Sequence, residues 1–189
     1  MYNEHLQPIK QLKLKLQLLS THSPLRTTNY PTRLCIPGTQ DSHWTLTFVR
    51  IDLEDGAFIK AAAKEIRDKY GSCDVLVNNA AVCFNDPTLY GKVPHTSFSK
   101  QADITIKTNF FGTLALTRAM SPLLEESSSP HIINIASSAG RLSILPSKER
   151  RSDFSSQDLQ IDRLESYMKE FVADAQDGSH AAKKWPNTG

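Results

Sequence analysis

The run Val75-Leu-Val77 is short, continuous and apolar, and that pattern suits a central strand of a parallel sheet, covered on both faces, better than an exposed strand. What precedes it has the matching form. Thr45-Leu-Thr-Phe-Val-Arg-Ile51 is β-branched and aromatic enough for a buried or half-buried strand, and Asp55 then stands ready to cap a helix. Phe58, Ile59, Ala62, Ile66 and Tyr70 recur at helical spacing, and Gly71 falls where a left-handed C-terminal cap belongs. Strand, helix and strand make a βαβ unit. Downstream, about Ser99 to Glu126 reads as one long helix with Ile104, Thr108, Phe111, Ala115 and Ala119 on one stripe and Pro122 near its end. After the turn Ser127-Ser-Ser-Pro130, Ile132-Ile-Asn-Ile135 supplies a further strand. Its exit, Ser137-Ser-Ala-Gly140, is small and polar, as at the carboxyl edge of a parallel sheet, where ligands bind. These elements make an α/β chain built on a parallel sheet.

Three groups of polar residues sit oddly in this scaffold. The carboxamides of Asn78-Asn79, at the end of a buried strand, must find hydrogen-bond partners, and tying the sheet edge to a neighbouring strand would suffice. Asn109 stands inside the long helix, where Asn costs propensity and prefers caps or turns. Ser137 presents a hydroxyl at a strand end; a serine alone is a poor acid but a good hydrogen-bond donor.

Taken in order, Asp74-Val-Leu-Val-Asn-Asn-Ala-Ala81, Thr108-Asn-Phe-Phe-Gly-Thr113 and His131-Ile-Ile-Asn-Ile-Ala-Ser-Ser-Ala-Gly140 resemble the short-chain dehydrogenase/reductase family. Lys107-Thr-Asn-Phe-Phe-Gly-Thr113 and Trp185-Pro186 narrow the resemblance to its monomeric, NADPH-dependent carbonyl reductases. The resemblance implies an α/β fold, a Rossmann-like doubly wound parallel sheet incomplete at both ends, and a cofactor, NADPH, lying along Asn79 and Ala80, with Asp52 near its adenine edge. Asp52 reads equally well as a turn or helix-capping residue. It implies further that Ser137 hydrogen-bonds a substrate carbonyl oxygen, and that Asn109 distorts its helix so that a main-chain carbonyl holds a water of the proton relay. The implied substrate is a small-molecule ketone, aldehyde or quinone. A monomer is implied too, since in carbonyl reductases a helical insertion, here at about 141–180, covers a surface that other members use to dimerise.

Some family features are not in the sequence. Ala81 stands where Asn-Asn-Ala-Gly is usual, placing one methyl group at a point of close approach. Gly38 is the only glycine before Gly56, so a Gly-x-x-x-Gly-x-Gly turn for the pyrophosphate is not possible. None of Tyr2, Tyr30, Tyr70, Tyr90 and Tyr167 is followed four residues later by lysine, and Tyr167 reads as core. By resemblance, Trp185-Pro-Asn-Thr-Gly189 is the segment leading into the Tyr-x-x-x-Lys helix, so the chain stops on its doorstep. Two readings follow: an NADPH-dependent carbonyl reductase, or a catalytically inert, truncated relative or partial gene product acting as a binding protein.

The remaining chain sets limits. Residues 1–44 form an irregular arm of unclear fold, with the alternation Leu12-Lys-Leu-Lys-Leu-Gln-Leu18 followed by Pro24, Pro31 and Pro37, and 45–189 form the partial reductase domain. The segment from Gly140 through Ser156 is loop-like, its charge run Lys148-Glu-Arg-Arg151 a solvated face, and a helix follows over about Gln157 to Ala175. A formal charge of +2 on 189 residues is too small to imply a nucleic-acid or anionic-membrane partner by bulk electrostatics, and neither is expected. No apolar run reaches the roughly 18 to 20 residues that cross a bilayer, which makes the cytoplasm the expected address. Cys35, Cys73 and Cys83 lack metal-ligand spacing and read as free thiols, with no metal site.

Overall fold

The computed structural model describes residues 47–84, 95–137 and 140–186. The arm over 1–44, Cys35, Tyr90 and Ser138 lie outside the described residues.

Helix α1 (Gly56–Tyr70) begins and ends where its caps predict. Asp55 Oδ1 accepts the Ala57 N–H at 2.7 Å, and Gly71 closes the far end at φ +77°, a left-handed value that suits glycine. Its inner face, Ile59, Ala62, Ala63 and Ile66, is buried. The first expected strand is corrected: residues 47–51 join no ladder among the described residues. Their burial nevertheless alternates with a period of two, Val49 and Ile51 pointing into the core while Phe48 and Arg50 face outward. Side-chain alternation survives without a partner strand; a ladder does not.

Strands β1 (Val75–Asn78) and β2 (His131–Asn134) pair in parallel, Val75 opposite His131 and Asn78 opposite Asn134. The crossover between them is not one regular helix. It runs as α2 (Phe98–Thr105), a π-helical segment Ile106–Gly112, and α3 (Thr113–Glu125). Because π-helical bonds span five residues instead of four, the buried stripe slips by one position. Gly112, Leu116 and Met120 lie inward where Phe111, Ala115 and Ala119 were expected, and Ala115 is exposed. Leu116, Met120, Leu123 and Leu124 of α3 then close on Leu76, Cys73 and the inner face of α1 in one apolar cluster. Burial pushes the Cys73 thiol above its ordinary pKa.

That cluster covers one face of the sheet, and the expectation of two covered faces fails among the described residues. On the other face Val77, Ile133 and Ile135 are 38%, 46% and 59% exposed, while Ile132, opposite Leu76 on the helix side, is 47% exposed. Both α1 and α3 pack on the Leu76 side, so side chains of opposite parity meet no described helix.

The segment after the sheet is more ordered than its polarity suggests. A 3₁₀ turn (Leu142–Ile144) leads to α4 (Lys148–Phe154), whose first turn is capped by Ser147 Oγ accepting the Arg150 N–H at 3.2 Å. Of the charge run, Lys148 and Glu149 are exposed as expected, but the two arginines turn inward. Arg150 lies 3.7 Å over the Trp185 ring, bonds Glu170 at 2.8 Å and donates to Lys183 O at 2.5 Å, while Arg151 donates to Leu145 O at 2.8 Å. Helix α5 (Ile161–Asp177) starts slightly later than expected and ends at Gly178, φ +79°. Phe171 of α5 meets Phe98 of α2 edge-on at 6.1 Å, and Arg118 bonds Glu165 at 2.9 Å, which seats α5 on the long crossover. No helix of the described residues is long and apolar enough to cross a membrane.

Candidate active site at the carboxyl edge of the sheet

Parallel strands deliver their next residues to one edge, and here β1 delivers Asn79 and Ala80 while β2 delivers Ile135, Ala136 and Ser137. The last paired residues anchor that edge. Asn78 Nδ2 donates to Asn134 Oδ1 at 2.8 Å and to Thr117 Oγ1 at 3.1 Å, binding both strands to α3. Asn78 is thus the structural member of the pair, buried with its Nδ2 committed to both bonds. Asn79 is exposed, Ala80 half-buried and Ala81 exposed. Ser137 is exposed, and its carbonyl accepts the Gly140 N–H at 3.0 Å.

Asn109 is bound to the same edge. Its Oδ1 accepts the Val82 N–H at 2.8 Å and its Nδ2 donates to Val82 O at 2.9 Å. A carboxamide in the middle of a helix is expensive unless its two ends are used, and here both are. The π-helical segment Ile106–Gly112 is centred on this residue. Neither Val82 nor the segment's other anchor, Glu54, carries a signal in the sequence. Glu54 accepts the Thr108 hydroxyl at 2.9 Å and pairs with Lys107 Nζ at 3.3 Å. Gly112 carries the one faint clue: a Cβ there would lie 2.5 Å from Leu53 O, so only glycine lets the helix meet the Asp52–Asp55 turn this closely.

Asp52 occupies that turn. Its Oδ1 accepts the Glu54 N–H at 3.0 Å and its carbonyl accepts the Asp55 N–H at 3.2 Å, which is the turn-forming role open to an aspartate. The structure therefore brings Asn79, Ala80 and Asn109 together through Val82, and links Asp52 to the same helix through Glu54 and Thr108. Among the described residues no group of three or more His, Cys, Asp or Glu side chains is arranged to hold a metal ion.

A sequence profile of the family described as short chain dehydrogenase matches residues 30–146. The chain belongs to the short-chain dehydrogenase family. Among its relatives, carbonyl reductase [NADPH] 1 of Bos taurus is 33% identical over 142 residues, which is 75% of this chain and 48% of the relative. The Homo sapiens protein of the same name is 33% identical over 144 residues, with the same coverage of 75% and 48%. The chain spans about half the length of the carbonyl reductases it matches. In solved structures, menthone neomenthol reductase from Mentha piperita superposes with a TM-score of 0.65 at 27% identity, over 75% of this chain and 59% of that one. The Rossmann-like α/β class follows from these likenesses together with the parallel β1–β2 pair. Short-chain dehydrogenases are oxidoreductases, and the relatives place this chain beside the carbonyl reductases.

Proposed function

We propose that this chain is the central part of an NADPH-dependent carbonyl reductase acting on ketones, aldehydes or quinones, and that Asn79, Ala80, Asn109 and Ser137 are its contribution to the site. The observation that carries the reading is the double hydrogen bond of Asn109 to Val82, which fixes the distorted helix against the strand end where a dinucleotide would lie. Exposed Asn79 and Ser137 on neighbouring strand ends suit a crevice for cofactor and substrate. When bound, NADPH supplies the hydride. Ser137 donates its hydroxyl to the substrate carbonyl oxygen, and such preorganised donors gain value where charge develops. Asn109, held on both sides, keeps its turn of helix open for a water that passes a proton. Asp52 lies toward the adenine end, and the helical insertion over 141–180 covers one flank and keeps the protein monomeric. Cytoplasmic location, with no nucleic-acid or membrane partner, accompanies this reading.

A second reading, an inert family member that binds partners or cofactor without turnover, is favoured by the state of the described tyrosines. Tyr167 donates to Asp153 and accepts from Arg163 at 2.9 Å, far along the chain's insertion, and Tyr70 donates to Thr47 Oγ1 at 2.6 Å. The Asp153 carboxylate raises the Tyr167 pKa, whereas a phenol that gives up a proton at neutral pH needs it lowered. Loss of NADPH absorbance with a menadione-like quinone supports the reductase. Absence of turnover rejects the reductase reading for this chain, and absence of any NADPH-dependent fluorescence change as well is the result expected of an inert, partner-binding member.

A further inference from the structure

We infer that Glu54 is a positioning residue for Asn109: through Thr108 it sets the π-helical register that lets Asn109 hold the Val82 segment. This rests on the reading of that edge as a reductase site. Four observations converge on it. The Glu54 carboxylate accepts the Thr108 hydroxyl at 2.9 Å with one oxygen, and Lys107 Nζ approaches the other at 3.3 Å. Both partners belong to the π-helical segment, one of them next to Asn109. Thr108 is buried, so its hydroxyl needs an acceptor, and helical neighbours are poor substitutes in a segment whose backbone bonds are already re-registered. On the other side, Glu54 is itself fixed: its N–H donates to Asp52 Oδ1 at 3.0 Å, and Asp55 caps α1.

The geometry makes Glu54 a strut between the capped start of α1 and the π-helical segment. A π-helical segment is uncommon because it forgoes the regular bonding pattern, and it persists where surrounding contacts hold it. Here the holding contacts are three: Glu54 on Thr108, the backbone of Leu53 against Gly112, and Val82 on Asn109. Releasing the first lets the segment drift toward α-helical register, which rotates Asn109 away from Val82. The two ion-pair partners are unequal in this. Lys107 is more than half exposed, so its pairing is screened and weak, whereas the Thr108 bond is shielded.

Amide hydrogen exchange on the full chain tests the inference without needing turnover. Val82 N–H reports the Asn109 bond, and Ile66 N–H inside α1 reports global stability. Glu54→Ala and Thr108→Val are expected to speed Val82 exchange by roughly 5- to 10-fold beyond any change at Ile66. Glu54→Gln keeps an oxygen for Thr108 and should restore protection to within about 2-fold of the parent. The double variant should add little to either single one, as for two residues of one bond. Equal changes at Val82 and Ile66, or no rescue by Glu54→Gln, overturn the inference. A chain that passes this test yet oxidises no NADPH leaves the positioning role standing and rejects the reductase reading alone.

Discussion

Asn109 grips Val82 with both ends of its carboxamide, accepting the N–H at 2.8 Å and returning a hydrogen bond to the carbonyl at 2.9 Å. The pairing reproduces what a β-ladder offers a residue, supplied by a side chain from a helix. It joins the crossover helix to the segment that follows Asn79 and Ala80, so helix distortion and site position are one structural fact.

Replacing Asn109 with alanine removes both bonds and leaves the Val82 amide without its partner. A loss of about 1–3 kcal/mol in urea unfolding is expected. Asn109→Asp keeps an acceptor for the Val82 N–H but sets a carboxylate against the Val82 carbonyl. It should therefore lose stability as pH rises through the aspartate range, which the parent does not do at this site. Identical pH dependence for the two proteins would show that the clasp carries no weight.

Gly112 and Gly56 offer a paired comparison within one chain. A Cβ on Gly112 meets Leu53 O at 2.5 Å and Leu53 Cβ at 2.8 Å, whereas one on Gly56 meets nothing within 4 Å. Gly112→Ala must push the 52–55 turn from the helix and should cost about 1–3 kcal/mol. Gly56→Ala, in the first turn of α1, should stabilise by up to about 1 kcal/mol through the unfolded chain. Chemical denaturation of both variants checks the order, and a harmless Gly112→Ala would refute the close approach.

Asp174 is 2% exposed near the end of α5, and its surroundings set an acid limit for the insertion. Burial pushes its pKa up, but hydrogen bonds from Lys183 Nζ at 2.5 Å and Trp185 Nε1 at 2.8 Å, with the lysine charge, outweigh it and hold the carboxyl below its ordinary value. A folded-state pKa lower than the unfolded one gives stability that is present above the unfolded value and lost as pH falls through the folded one. The loss should begin below roughly pH 4. Asp177, whose pKa is lowered by the Ser179 hydrogen bonds, adds to the same limb. Asp174→Asn should flatten part of it and lower stability at neutral pH. Trp185 fluorescence against urea at several pH values reads both, and an unchanged acid slope counts against the account.

How far these features could be read from residues alone depends on the range of the interaction that makes them. Helix α1 was legible because Asp55 and Gly71 act within one turn of the chain, and β1 because Val75-Leu-Val77 carries its burial in composition. Asn109 was legible as an inconsistency, and the inconsistency was real. Its partner Val82, 27 residues earlier, was not, since nothing in a valine announces that its backbone will be clasped. The stripe of the crossover helix was misread by one position for the same reason: the π register comes from Glu54 and Leu53, far in sequence from Thr108 and Gly112. Arg150 shows the converse error. A run of four charges suggests a solvated face, yet Trp185 and Glu170 draw that arginine inward.

The sheet's open face predicts a solution property. Val77, Ile133 and Ile135 share this face on neighbouring strands, 38% to 59% exposed among the described residues. Contiguous apolar surface of this kind binds hydrophobic dyes and promotes association. Ile133→Thr, which keeps β-propensity, should reduce ANS fluorescence and raise the concentration at which the chain self-associates, with little change in unfolding midpoint. Equal dye binding by parent and variant would mean that other parts of the chain cover this face.

Tyr167 gives the sharpest test of what its helix is for. Its hydroxyl donates to Asp153, Arg163 donates to it at 2.9 Å, and its ring stacks on Phe154 at 5.3 Å. The hydrogen bond to Asp153 and then burial raise the phenol pKa, and Arg163 only partly offsets them. The cause is specific: ionising the phenol places a phenolate against a carboxylate. Asp153→Asn keeps an acceptor for the hydroxyl but removes the negative charge, leaving Arg163 to act alone, so the Tyr167 pKa should fall. Ultraviolet titration, with Tyr167→Phe subtracted to isolate the one phenol, should place Tyr167 above the ordinary tyrosine value of about 10 in the parent and lower in Asp153→Asn. A Tyr167 that titrates below neutral-phenol values in the parent would reverse its assignment and make it a proton donor after all; a high value in the parent that drops in the variant fixes it as packing for the insertion.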